Sequence, residues 1–311
     1  MEIFGSTFDE SVFEKSRNRA SSTVPFSYKA KSCEPRWFCY SETYEDAVEQ
    51  QKTMKFRADL KYREMRYQSA LDDYTACLSL VPSSNLSVKR DVLEGIARCY
   101  SHLGRTEDAL ETCDKLRKEA TNTSHLTCIL QLELSIHEGC GDLRSSTTCL
   151  QELCSLHPFN PWHWLKLARS YQCLLEYPTL SECPRKPLEP QALTQEQRDV
   201  ARLQACMCFI RARLLIGILK IQQFSFVLER SKRALEDAED SLQRLQLGER
   251  TIKTVSEVMS EDLNPERMRE ENQDGESLSG LSIIDFDQRW WNKLYAQLHM
   301  SQKMDSSADD I

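Results

Sequence analysis

Glycine and proline are scarce in this chain. Nine Gly and ten Pro in 311 residues are about half of the roughly 12% that an average chain carries. Tight turns need these residues, and sheets need many turns. The shortage argues against β-barrels, β-sandwiches and nucleotide folds built on Gly-rich loops. Histidine is also sparse, at 6, and none stands at zinc-finger spacing from paired cysteines. Long apolar runs are missing. The most apolar stretch, 205–221, is interrupted by Arg211, Arg213 and Lys220, so no bilayer span is expected. The opening MEIFGSTFDESVFEK has neither the basic region nor the apolar core of a signal peptide. Positive charge is not in excess: 40 Lys and Arg face 48 Asp and Glu, for a net charge of −8. A nucleic-acid footprint over the whole chain would be basic.

Catalytic signatures are absent as well. There is no GxSxG, GxxxxGK[ST], HExxH or GxGxxG, so no nucleophile elbow, phosphate loop, zinc helix or dinucleotide loop is spelled out. Paired carboxylates occur at Asp72-Asp73 and Asp309-Asp310. Neighbours on a helix diverge, so these read as solvated surface. His102 and His137 read as structural or surface histidines. No catalytic residue, metal ligand or cofactor is assigned, and no enzyme is expected.

What is present suits a folded chain: 40% hydrophobic and 28% charged residues, too apolar for wholesale disorder. At about 150 residues per domain, the length allows two domains or one repeat array. Thirteen cysteines, an odd number, are scattered without a CxxC pair. Cys206 and Cys208 point to different sides of a helix, as do Cys149 and Cys154. They read as small buried apolar residues of a reducing compartment. Asn85-Leu86-Ser87 and Asn122-Thr123-Ser124 match the glycosylation sequon, which carries no weight without a secretory signal.

Similar segments recur. Lys55–Pro82 and Leu93–Leu116 each read as two helices. Leu93, Ile96, Ala97 and Tyr100 fall at i, i+3, i+4, i+7, one helical face. Gly104 breaks the run, and Ala109, Leu110, Cys113 and Leu116 form the next face. Ala97 and Ala109 are twelve apart, as are Ala58 and Ala70, and their small side chains permit close helix approach. A weaker unit spans Leu130–Pro158, with Gly141, Asp142, Leu150, Leu153, Leu156 and Pro158, but Ser146 where Ala is usual. Trp164, Leu167, Ala168 and Tyr171 then mark a further first helix.

These residues resemble the tetratricopeptide repeat. The second unit matches through Leu93, Ile96, Ala97, Tyr100, Gly104 and Ala109; the first matches best on its second helix, through Ala70, Tyr74 and Pro82. In order along the chain, CEPRWF, VKRDVLEGIARC, EATNTSHLT, LHPFNPWHWLKLA and SFVLER further resemble a vertebrate chromosome-8 open-reading-frame family with tetratricopeptide-like helices. The resemblance implies the fold and lends no activity.

The expected fold is therefore all-α: a TPR-like α-α superhelix, or solenoid, with long C-terminal capping helices. Residues 1–50 form a mostly irregular arm, with Trp37, Phe38 and Tyr40 as candidates to pack on the body. Residues 51–175 hold the repeats, and 176–193, with four prolines, an inserted loop. Long helices fill 194–263, opened by a capping box of Thr194 and Gln197. An acidic linker follows at 264–280, an aromatic helix at 281–300 and a disordered tail at 301–311.

In stacked helix pairs the first helices line a shelf, and function lies in its side chains. The expected shelf positions are Lys55, Asp59 and Tyr62, then Glu94, Arg98, Ser101 and His102, then Trp162, Leu165, Arg169 and Gln172. Mixed charge with aromatics suits an extended peptide, although each position also reads as a solvated helix face. Capture of chaperone tails is not expected. Lys55 stands at a carboxylate-clamp position, but Asp59 replaces one Asn, Gly95 the other, and Cys128 and Leu132 the basic residues. The expectation is a protein-binding scaffold of the cytoplasm or nucleus, not secreted. The alternative is RNA or DNA association through Arg198, Arg202, Arg211, Arg213, Lys220, Arg230, Lys232 and Arg233, which also read as polar faces of amphipathic helices. Phe286, Trp290, Trp291 and Leu294 on the last helix are expected to cap the array, plug the shelf or dock a partner.

Overall fold

A computed structural model describes residues 36–40, 44, 46–176, 194–221, 226–264 and 286–298. Those residues are helical, with turns and no β-strand among them. The expected inserted loop from 177 on, the linker beyond 264 and the tail lie outside the described residues. So does most of the N-terminal arm; its described part is α1 (Trp37–Tyr40), where Trp37 and Phe38 meet edge to face at 6.0 Å. The chain divides into two compact units at Glu42, and α1 belongs to the first.

The second unit begins with three helix pairs: α2 (Ala47–Arg63) with α3 (Tyr67–Leu80), α4 (Leu86–His102) with α5 (Thr106–Lys118), and α6 (Thr123–Cys140) with α7 (Leu143–Leu156). Each helix packs on the next, and α4 also touches both α2 and α6. The three hairpins turn in the same way. Met65, Gly104 and Gly141 take the left-handed backbone, at φ 60°, 71° and 77°. The following amide then bonds five residues back: Arg66 to Lys61, Arg105 to Tyr100 and Asp142 to His137, each at 2.9 Å. This closure satisfies carbonyls that a helix end leaves open.

The N-termini are capped by the side chains that the chain places there. Asp46, Asn85, Asn122 and Asp142 accept from Glu49, Val88, His125 and Ser145 amides, each cap contributing about 1 kcal/mol. Both glycosylation-like asparagines are thus helix caps.

Two small cores fill the first pairs. One gathers Ala58, Ala70, Leu71, Tyr74, Val92 and Ile96; the other gathers Leu93, Ala97, Ala109, Leu116, Ile129 and Ile136. Ala58, Ala70, Ala97 and Ala109 are fully buried, as the twelve-residue spacing predicts. Ser146 stands in for Ala in the third pair, buried, and its hydroxyl donates to Asp142 O at 2.8 Å. Asp73 corrects the surface reading: it is buried and pairs with Arg57 at 3.3 Å and Lys61 at 2.6 Å, tying α3 to α2.

The remainder shares one larger core. Helix α8 (Pro161–Glu176) packs on α9 (Gln195–Lys220), and α9 carries α10 (Phe226–Arg244) and α11 (Glu249–Ser260). The Thr194–Gln197 capping box forms at the head of α9. The last helix, α12 (286–298), opens on a π-helical turn, Asp287–Trp291.

Candidate functional site

The predicted shelf residues of α2 and α4 are engaged mainly with one another. Asp59 takes Lys55 Nζ at 3.1 Å and accepts a 2.6 Å hydrogen bond from the Tyr74 hydroxyl. Burial, then Asp59, pushes the Tyr74 phenol far above its ordinary pKa, so it remains a donor. The Tyr74 ring lies on Gly95: a Cβ there would meet Tyr74 Cζ at 2.7 Å. The space over Gly95 and the Asp59 carboxylate are thus both taken by Tyr74.

Tyr62 and His102 also meet, with Oη and Nε2 3.0 Å apart, and His102 stacks on Tyr67 at 4.2 Å. Glu94 Oε1 accepts from Arg98 at 2.6 and 3.0 Å.

Where α4 faces α6, a cavity of about 180 Å³ opens. Its floor is apolar, made by buried Leu116 of α5 with Ile129 and Leu132 of α6. Around it stand Ser87, Arg90, Asp91 and Glu94 of α4, with His125 and exposed Cys128 of α6. His125 Nδ1 accepts from the Thr121 amide at 3.4 Å, which puts the neutral ring's proton on Nε2. Burial, then the Arg90 charge, lowers the His125 pKa, keeping it neutral near pH 7. Of the predicted shelf residues, only Glu94 borders this cavity. Periodicity alone could not find it, because the hollow depends on how far α4 stands from α6.

The third set, on α8, is not an open surface. Leu165 is buried in the large core, against the expectation of exposure. Trp162 lies under the Arg230 guanidinium at 4.1 Å, and Arg169 reaches Asp237 at 3.6 Å. Side chains of α10 thus occupy this end of α8. Gln172 bonds only along its own helix to Glu176, among the contacts described.

The C-terminal aromatics pack inward. Phe286 and Trp290 meet Trp164 at 5.6 and 4.9 Å, and with Leu294 they are buried. Trp291 is partly buried against the same core. Helix α12 thus joins the core that holds α8.

A residue read as a polar-face arginine is central to that core. Arg211 is fully buried. It donates to Met259 O at 2.6 Å and Pro158 O at 3.3 Å, and pairs with Asp262 through both terminal nitrogens. Arg289 of α12 reaches the same carboxylate at 3.4 Å, and Trp164 Nε1 donates to Pro158 O at 2.8 Å. The other basic residues of this region are on or near the surface, several beside acids: Arg202 with Asp199, Arg213 with Glu239 and Arg233 with Glu229. Arg117 forms a second hub missed by the sequence pattern, joining Glu133 at 2.5 Å and Glu152 at 3.1 Å across three helices.

The buried thiols are poor nucleophiles. Burial pushes Cys77 and Cys99 up to about 11, and Cys113, Cys149 and Cys206 up to about 12, so all stay protonated. Among the described residues no helix is long and apolar enough to cross a membrane.

The sequence matches the family described as "Family of unknown function (DUF5588)" over residues 2–187 and 184–300. It is 36% identical to the human protein "Uncharacterized protein C8orf76" over 357 aligned positions, covering 94% of this chain and 93% of that one. It is 33% identical to the rat "Uncharacterized protein C8orf76 homolog" over 350 positions, with the same coverage. The chain belongs to this family.

Proposed function

We propose that the protein is a non-catalytic binding module, a tetratricopeptide-like array that holds a peptide or helix of a protein partner on the α2–α4–α6 face, in the cytoplasm or nucleus. The α4–α6 cavity carries this reading. It joins an apolar floor to a ring of polar and charged groups, the composition from which peptide-recognition sites draw affinity and orientation. The α2 and α4 side chains beside it are pre-paired, so little ordering cost opposes binding. At the other end, α10 and α12 close the array and prevent a bare last pair from exposing its apolar face.

Panning a random peptide library on the full chain tests the proposal. Enriched peptides are expected to lose about tenfold or more in affinity when Cys128→Trp fills the cavity mouth, and to keep it in Lys220→Gln. Equal binding to the intact chain and Cys128→Trp would refute the assignment. The competing nucleic-acid reading predicts instead a salt-sensitive RNA or DNA shift that is lost on changing Arg213 and Arg230. Arg211 is unsuitable for that test because it is an internal strut.

A further inference from the structure

The groups around the α4–α6 cavity are not neutral in what they invite. Arg90 and His125 both line its edge, and after burial the guanidinium charge helps to lower the imidazole's pKa. Arg90 offers guanidinium donors, and His125, with Nδ1 taken by Thr121, offers Nε2–H. Neither α4 nor α6 carries an acidic side chain in its first turn, so the positive ends of both helix dipoles remain uncompensated there. Of the two carboxylates nearby, Glu94 is occupied by Arg98. Asp91 is exposed to solvent, where the high dielectric of water weakens its repulsion. The hollow, about 180 Å³, compares with the roughly 150 Å³ that admits one benzene ring. It therefore has room for one branched aliphatic or aromatic side chain over Leu116, Ile129 and Leu132.

We propose that this cavity selects an acidic-aliphatic peptide segment: a Glu or Asp side-chain carboxylate accepts from Arg90 and His125, and the neighbouring Leu, Ile or Phe side chain enters the hollow. The inference rests on the peptide-binding reading above and adds the chemistry of the partner. The carboxylate is assigned to a side chain within the peptide. A chain-terminal carboxylate has the same chemistry, and the test separates the two.

The probe is an acetylated, amidated peptide, Gly-Ser-Glu-Asp-Leu-Leu-Glu-Asp-Gly-Ser, titrated into the full chain by fluorescence anisotropy. Its companions replace every acid with Lys or with Ser, and a further version has a free C-terminus. The acidic peptide is expected to bind about tenfold tighter than the Lys version and to weaken as salt rises. Arg90→Gln is expected to remove most of that preference, Cys128→Trp to abolish binding, and Arg144→Gln, on the exposed surface of α7, to change nothing. A Lys peptide bound as well as the acidic one, an Arg90→Gln variant of unchanged affinity, or binding only by the free C-terminus would each overturn the inference. If the Ser and acidic peptides bind equally and both are lost in Cys128→Trp, the charge preference fails while the peptide-binding reading stands. If no version binds, this inference fails, and the library panning decides the peptide-binding reading by itself.

Discussion

The leading helices α2–α6 and the assembly from α7 to α12 solve the same packing problem differently. The helices α2–α5, with one face of α6, bury small residues in two modest cores, and their polar groups are satisfied by near neighbours, as with Asp59, Tyr74 and Lys55; α7 and the other face of α6 already join the later core. The later helices share one large core whose polar centre, Arg211, is satisfied by Met259, Asp262 and Pro158, some fifty residues away in either direction. Local closure produces a repeat with a free face. Distant closure produces a terminus with its own face covered. On the function proposed above, binding belongs to the first of these regions and capping to the second.

Arg211→Ala should have the largest effect. It removes the fully buried guanidinium from Asp262, Met259 O and Pro158 O, at a cost of about 3–5 kcal/mol, and should loosen α12, whose Arg289 is left as the partner of that carboxylate. Urea unfolding and protection of α12 against proteolysis would measure this. A loss below about 1 kcal/mol would remove the contrast between the two regions.

The head of α8, in the second region, should be acid-sensitive. Burial, and then the neighbouring His157 charge, lowers His163 to about 4, against about 6.5 unfolded. Above pH 6.5 both states are neutral and the group contributes no pH slope. As pH falls from 6.5 towards 4, the unfolded state takes up the proton first, and stability declines by up to about 3 kcal/mol. His163→Gln should flatten that part of the stability–pH curve; an unchanged slope would contradict the assignment.

Gly95→Ala tests local closure. Its methyl meets Tyr74, and overpacking should cost about 1–3 kcal/mol despite the better helix propensity of Ala. Adding Tyr74→Leu should recover part of the loss, and additive losses would contradict the contact. The smallest effect is a gain: Met65→Gly places glycine where Gly104 and Gly141 already serve, and should stabilise by up to about 1 kcal/mol. A loss would mean that the Met65 side chain contributes more than its backbone conformation costs.

Much of the helical layout was legible in the sequence because local rules govern it. The twelve-residue Ala spacing, the breaks at Gly104 and Gly141 and the Thr194–Gln197 box each act within one or two turns. Met65 escaped notice because the hairpin imposes a left-handed backbone that its side chain does not advertise. Leu165 and Arg211 were misassigned for a shared reason. A helical wheel shows which residues share a face, but not whether a later helix will cover that face. The α4–α6 cavity was illegible for the complementary reason: it is the space left between two helices, and Arg90 and His125 belong to separate sequence units.

The central claim is that the α4–α6 cavity is where a partner peptide sits. Hydrogen exchange of the full chain, with and without the acidic-aliphatic peptide, tests it most directly. Slowed exchange is expected in α4, α6 and the Thr121–His125 segment, with α9 and α10 unchanged. Slowing confined to α9 and α10, or none at a peptide concentration that saturates binding, would contradict it.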